Sequence, residues 1–163
     1  MTKLLAIAGS PRRGGNTDLL LEQVFNGARS RGVIVNKLIA CDLKIGPCTG
    51  CNSCWKAGIC RFEDEMQDVY PQLLDADYLV VASPVYFSGV SAQLKVFIDR
   101  CQAIWARKYI LKVPLRKNNI SPKGFFISAA GTPSGSKVFS GAISTVKALF
   151  HVLEVDYAGE LLC

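Results

Sequence analysis

The chain has 163 residues, half of them hydrophobic and a fifth charged, with a net charge of +6. That length points to one domain over 1–163, and the composition excludes intrinsic disorder. No apolar run approaches the roughly 20 residues that a membrane-spanning helix requires, and the short apolar stretch at 4–8 lacks the length and the cleavage pattern of a secretory signal, so a cytoplasmic protein is expected. Charge is unevenly spread: residues 1–99 carry ten basic and ten acidic side chains, residues 100–163 nine and three. The excess suits an anionic partner or substrate. A nucleic-acid reader would also need a reading element, and none is present, so nucleic acid is not an expected partner.

Taken in chain order, the first apolar run, at 4–8, reads as a buried strand. Gly9-Ser10-Pro11-Arg12-Arg13-Gly14-Gly15-Asn16-Thr17 follows and leads into a helix expected over 18–31. Small residues let backbone amides approach an anion there, hydroxyls and a guanidinium complete its ligation, and the helix N-terminus adds a favourable dipole. Neither the Walker pattern nor GxGxxG is present, so a phosphomonoester fits better than a triphosphate or a pyrophosphate. The competing reading is a plain turn with an N-cap at Thr17.

A second strand is expected over 33–39, then a long connection over 40–63 that carries cysteines, then a helix over 65–76. Asp64 and Gln67 have capping-box spacing, and Pro71 predicts a kink or a separate first turn. The third strand, at 78–82, is followed by Ser83-Pro84-Val85-Tyr86-Phe87-Ser88-Gly89-Val90 and by a single helix over 91–107. A basic connection over 108–122 precedes the fourth strand at 124–128; the loop Ala129-Ala130-Gly131-Thr132-Pro133, a helix over 136–151 and a fifth strand from about 154 complete the order. Strands apolar on both faces, alternating with helices, imply a doubly wound parallel sheet. The chain stops within or just after that fifth strand, so a closing helix is missing from the expected pattern and one sheet face would lack cover unless a neighbouring subunit or residues outside this sequence supply it. In open α/β sheets ligands sit beyond the carboxyl ends of the strands, near the switch point. The loops after strands one, three and four therefore form a site for a planar ring carrying one phosphate, although Tyr86 and Phe87 taken alone would read as packing.

Seven cysteines remain: Cys41, Cys48, Cys51, Cys54, Cys60, Cys101 and Cys163. In a cytosolic chain, clustered cysteines are more often metal ligands or redox centres than disulfides. The spacing Cys48-x2-Cys51-x2-Cys54-x5-Cys60 follows the ligand logic of a [4Fe–4S] cubane, which takes four thiolates. Structural zinc and metal-free or redox-active thiols are the alternatives, but zinc sites usually pair two knuckles across a longer separation. Trp55 and Ile59 stand where they would shelter a cluster or pack the loop.

The chain resembles the iron–sulfur flavoproteins, a branch of the NAD(P)H-dependent FMN reductase family. The resemblance rests on Gly9-Ser10-Pro11-Arg12, the cysteine motif at 48–60, Ser83-Pro84-Val85-Tyr86, and the stretch from Gln93-Leu94-Lys95 to Asp99-Arg100. It implies a flavodoxin-like three-layer sandwich with a five-stranded parallel sheet of order 2-1-3-4-5. It also implies FMN, with phosphate contacts from Ser10, Arg12, Asn16 and Thr17 and ring contacts from Pro84, Val85, Tyr86 and Phe87. The loop of Ala130, Gly131 and Thr132 would close the site, and Cys48, Cys51, Cys54 and Cys60 would hold the cluster. The implied protein is a homo-oligomer, dimer or tetramer, that exchanges electrons with NAD(P)H or a ferredoxin-like carrier.

The remaining candidates carry less chemistry. His151 reads as a helix-end partner rather than a catalytic base. Cys101-x5-Arg107 has phosphatase-like spacing but falls in a helix without a glycine-rich loop. Cys41, Cys101 and Cys163 read as packing or spare thiols, and Asp99 with Arg100 as a structural ion-pair network. Glu63, Asp64, Glu65 and Asp68 sit at a helix start, where the dipole favours acids. The leading expectation is an FMN-dependent electron-transfer oxidoreductase needing no classical acid or base. Lys108, Lys112, Arg116 and Lys117 would attract an acidic carrier or the extra phosphate of NADPH. The alternatives are a cluster-free FMN or quinone reductase and a metal-stabilised binding module.

Overall fold

The computed structural model describes residues 1–116, 121–131 and 135–163, with the main chain only at Ser136. Five strands, β1 (Lys3–Ala8), β2 (Ile34–Ile39), β3 (Tyr78–Pro84), β4 (Lys123–Ala129) and β5 (Asp156–Leu162), form one sheet of order β2-β1-β3-β4-β5. Every pairing is parallel. The apolar runs of β1, β3 and β4 fill the middle of the sheet, where both faces are covered, and the more polar β2 and β5 take the edges.

Helices α1 (Asn16–Arg29), α2 (Cys54–Ala57), α3 (Met66–Asp75), α4 (Ala92–Arg100), α5 (Gln102–Tyr109) and α6 (Ser140–Val152) occur in that order. Strand periodicity divides the core in two. Leu4, Ala6, Val80, Ala82 and Ile127 face Leu21 and Phe25 of α1. Leu5, Ile7, Leu79, Val81 and Phe126 face α3, α4 and α6 through residues such as Val69, Leu73, Phe97 and Leu149. Each fully buried side chain of this kind contributes about 1.5–3 kcal/mol from its removal from water. Gly124 lets α6 sit close to β4, since a Cβ there would stand 2.5 Å from the Phe150 ring. On the α1 side, Leu161 of β5 is 41% exposed.

Three local expectations differ from the structure. The helix expected over 91–107 breaks at Cys101 (φ −68°, ψ −1°), and the turn redirects α5 against α2 and α6. Pro71 lies inside an unbroken α3, on its exposed side. The capping box does not form: Asp64 accepts from the Met66 amide at 3.2 Å, and the Gln67 side chain is drawn to two other carbonyls, those of Cys60 and Phe62.

Candidate functional site

The parallel register brings the carboxyl ends of β1, β3 and β4 to one edge, with the switch in strand order between β1 and β3. The loop after β1 approaches the loop after β3 closely: the Gly9 amide donates to the Ala82 carbonyl at 2.7 Å, and a Cβ on Gly9 would stand 2.8 Å from Leu94 Cβ. Only glycine fits there without displacing α4. Ser10 Oγ accepts from the Arg12 amide at 3.1 Å, turning the loop. The Gly14 amide donates to Asp18 Oδ2 at 2.9 Å. The N-cap of α1 is Gly15 rather than Thr17, and no side chain caps the first turn. The Asp18 amide donates to the Gly15 carbonyl at 2.9 Å, so the helix start would offer an anion the amides of Asn16 and Thr17.

Arg12 and Asn16 are exposed at this rim, Ser10 is half-buried and Thr17 is buried in the first turn. Arg13 is paired with Asp42. Asp18 also pairs with Lys37 across to β2, and this hydrogen bond is the main cause that holds its carboxyl below the usual range.

In the loop after β3, Pro84 ends the strand and the Val85 amide donates to the Ala129 carbonyl at 2.9 Å, joining the third and fourth loops. Tyr86 and Gly89 exchange two backbone hydrogen bonds of 3.0 Å around Phe87 and Ser88, whose φ values are 49° and 62°. Two successive left-handed residues without glycine are costly, and the reward is display: Tyr86 is half exposed and Phe87 fully so. Neither ring is packed into the core of this chain. Ala130 and Gly131 lie on the same rim, while Thr132 is outside the described residues.

Beneath the rim runs a buried hydroxyl chain that the sequence reading passed over. Ser128 Oγ donates to the Ser83 carbonyl at 2.9 Å. Ser83 Oγ accepts from the Ser91 amide at 3.0 Å and donates to the Pro84 carbonyl at 2.8 Å. Ser91 Oγ donates to the Gly9 carbonyl and accepts from the Leu94 amide at 3.2 Å. Three loops are tied together by groups that, being buried, must all be satisfied. The available signal was a serine one residue before the end of each of two largely apolar strands.

The cysteine connection is built differently. Gly50 and Gly58 have positive φ (63° and 68°), as does Asn52 (58°), and these turns bring Cys48, Cys51, Cys54 and Cys60 around one recess, with Phe62 and Arg100 also in its wall. Cys48 and Cys51 are exposed, Cys54 and Cys60 half-buried. Hydrogen bonding from Ser53 lowers the Cys51 thiol to about 7. Burial raises the Cys54 thiol, and repulsion from the other three cysteines adds to it. Among the described residues, no three cysteine, histidine or carboxylate side chains converge on a single metal-ion position. In kind and number, four thiols around one recess match the donor set of a cubane and equally that of a tetrathiolate zinc ion.

Contacts from distant elements close this loop. Gln67 Nε2 donates to the carbonyls of Cys60 (3.0 Å) and Phe62 (2.7 Å), and the Lys44 amide donates to Glu65 Oε2 at 2.7 Å. Arg100, expected to join Asp99 in one ion-pair network, does not: Asp99 pairs with Lys95, and Arg100 grips Asp64 with bonds of 2.6 and 2.9 Å. Trp55 and Ile59, the two residues expected to shelter a cluster or pack the loop, are 42% and 61% exposed.

The remaining thiols and bases carry no site. Cys101 is buried, which pushes its thiol up to about 12, and the phosphatase-like spacing has no anion cradle behind it. His151 stacks on Tyr109 at 6.4 Å. The basic connection is partly consumed by the fold. Arg116 donates to carbonyls of Leu73 and Leu74 at the end of α3, and Lys108 to the His151 carbonyl at 2.7 Å. Lys117 lies outside the described residues. Among the described residues, no helix is long and apolar enough to cross a membrane.

Comparisons with known proteins agree with this geometry. An iron–sulfur flavoprotein of Methanocaldococcus jannaschii is 38% identical over 102 residues, 63% of this chain and 53% of that protein. One from Archaeoglobus fulgidus is 40% identical over 106 residues, 65% of this chain and 54% of that protein. The chain therefore spans about half the length of the curated relatives it matches. An FMN-dependent NADH-azoreductase from Bacillus anthracis, solved in complex with FMN, has the same fold, with a TM-score of 0.63 at 13% identity over 99% of this chain and 86% of that one. Residues 2–156 match the NADPH-dependent FMN reductase family, and the chain belongs to it.

Proposed function

We propose that the chain is an FMN-dependent oxidoreductase of the iron–sulfur flavoprotein type, with a [4Fe–4S] cluster held by Cys48, Cys51, Cys54 and Cys60. The observation that carries this reading is the gathering of four thiols around one recess beside a buried guanidinium, in a chain whose sheet edge suits a phosphorylated planar ring. FMN supplies hydride or single-electron exchange and the cluster single-electron exchange. The protein's own contribution is binding and orientation. The amides at the start of α1, with Ser10, Arg12, Asn16 and Thr17, receive the phosphate. Pro84, Val85, Tyr86 and Phe87 hold the ring, and Ala130 and Gly131 border it.

A nicotinamide dinucleotide is the proposed donor, in keeping with the family, and a ferredoxin-like carrier the alternative. Full exposure of Phe87 at the ring site supports a homo-oligomer in which a second copy covers it. The test is anaerobic: the purified protein is mixed with NADPH or NADH while flavin absorbance is followed, and the dithionite-reduced protein is examined by electron paramagnetic resonance. Flavin bleaching by a nicotinamide together with the signal of a reduced cluster is expected. Flavin bleaching with no cluster signal would instead indicate a cluster-free reductase. A protein that takes up no FMN would end the reading altogether.

A further inference from the structure

We propose that Arg100 is the positioning residue of the cysteine loop: it donates to the Cys60 sulfur and, balanced against Asp64, sets the electrostatic potential at the cluster. The proposal rests on the cluster reading above and adds a residue to it. The Arg100 side chain has no solvent exposure, a costly state for a charge unless it is paired. Asp64 neutralises it through both carboxylate oxygens, at 2.6 and 2.9 Å.

The fork reaches three parts of one loop. Nη1 donates to the Gly46 carbonyl at 3.0 Å, where the loop begins, and to Asp64 where it ends; Nη2 lies 3.5 Å from Cys60 Sγ. The guanidinium also stacks over Phe62 at 5.1 Å. Its Nε is buried and has no partner among the described residues, and Arg100 forms part of the recess wall with the four thiols. Nη2, the nitrogen that reaches Cys60, is the donor turned to the recess, and the sulfurs of a reduced cluster are acceptors for such a donor.

Reduction adds negative charge to the recess, so a guanidinium favours the reduced form and its carboxylate partner opposes it. The two residues therefore have opposite predicted effects. In Arg100→Gln the cluster faces Asp64 without its counter-charge, and the potential falls. In Asp64→Asn the guanidinium is no longer neutralised, and the potential rises. General loosening of the loop would not produce opposite signs.

The experiment is a potentiometric titration of the anaerobic wild type, Arg100→Gln and Asp64→Asn, read by electron paramagnetic resonance, with FMN absorbance confirming that each is folded. Shifts of about tenfold in the reduction equilibrium are expected, downward for the first variant and upward for the second; tenfold corresponds to about 59 mV for one electron. Unchanged potentials, or shifts of the same sign, would overturn the proposal. If Arg100→Gln does not fold, the upward shift in Asp64→Asn decides alone.

If the wild type holds no iron, the cluster reading fails, and the clasp is judged separately by amide exchange over 47–63 in the iron-free protein. About tenfold faster exchange in Arg100→Gln, with β1 and β3 unchanged, would sustain the positioning role. Equal exchange would remove it.

Discussion

The rim of the sheet and the cysteine loop are assembled by opposite means. The rim is held from below, by strand ends in register and by the buried chain Ser128–Ser83–Ser91–Gly9. The loop is held from the side, by Gln67, Glu65 and Arg100, each reaching across from a helix. A site supported by the sheet inherits the rigidity of the core. One fastened by a few side chains can be opened without unfolding the domain, because stability is not uniform across a structure. The two sites should therefore fail independently.

The largest separation is expected from Gly9→Val. The new side chain would collide with Leu94, where even a Cβ would lie 2.8 Å from Leu94 Cβ. Overpacking of this kind costs about 1–3 kcal/mol. Thermal unfolding should register that loss, and FMN titration should show affinity reduced at least tenfold, with the iron content of surviving folded protein unaffected.

Ser91→Ala should cost about 2 kcal/mol, because it removes the N-cap of α4 and leaves the Gly9 carbonyl without its donor. Denaturant unfolding measures this loss, and a lower FMN affinity should accompany it. Gln67→Ala has the reverse profile. Global stability should fall by about 1 kcal/mol, but amide exchange over 58–63 should quicken while FMN affinity stays unchanged. Coupled losses of flavin and loop order in either variant would break the distinction between the sites.

A smaller effect concerns pH. Asp18 is held below the ordinary aspartate value of 3.8 mainly by its bond to Lys37, so the folded state binds that proton less readily than the unfolded chain does. Its stabilising contribution is complete above 3.8 and is lost as pH falls through the depressed folded value. Asp18→Asn should cost no more than about 1 kcal/mol near neutrality, since the pair is partly solvated. The difference from wild type, measured by denaturant unfolding, should vanish in strong acid.

The same contrast explains what the sequence made legible. The strands, the two-faced core and the three rim loops follow from local signals: continuous apolar runs, glycines after strands, and a helix start beside a small-residue loop; the order of the strands is what the family resemblance implies. The cysteine spacing was equally plain. The clasp was not, because Arg100 is separated from Asp64 by 36 residues and from Gly46 by 54, and no local rule pairs them. Its neighbour Asp99 offered a nearer partner that the helix geometry sends elsewhere, to Lys95 one turn away. The break at Cys101 escaped for a related reason: the residues around it favour helix, and the packing of α5 against α2 and α6 overrides them.

The central claim is that one chain carries two redox sites. Iron, acid-labile sulfide and flavin should be assayed on a single anaerobic preparation, with the visible spectrum recorded before and after dithionite. The account predicts about four irons and four sulfides per chain, as a cubane requires, with FMN bound to the same protein. Flavin without iron or sulfide, or zinc in their place, would contradict it.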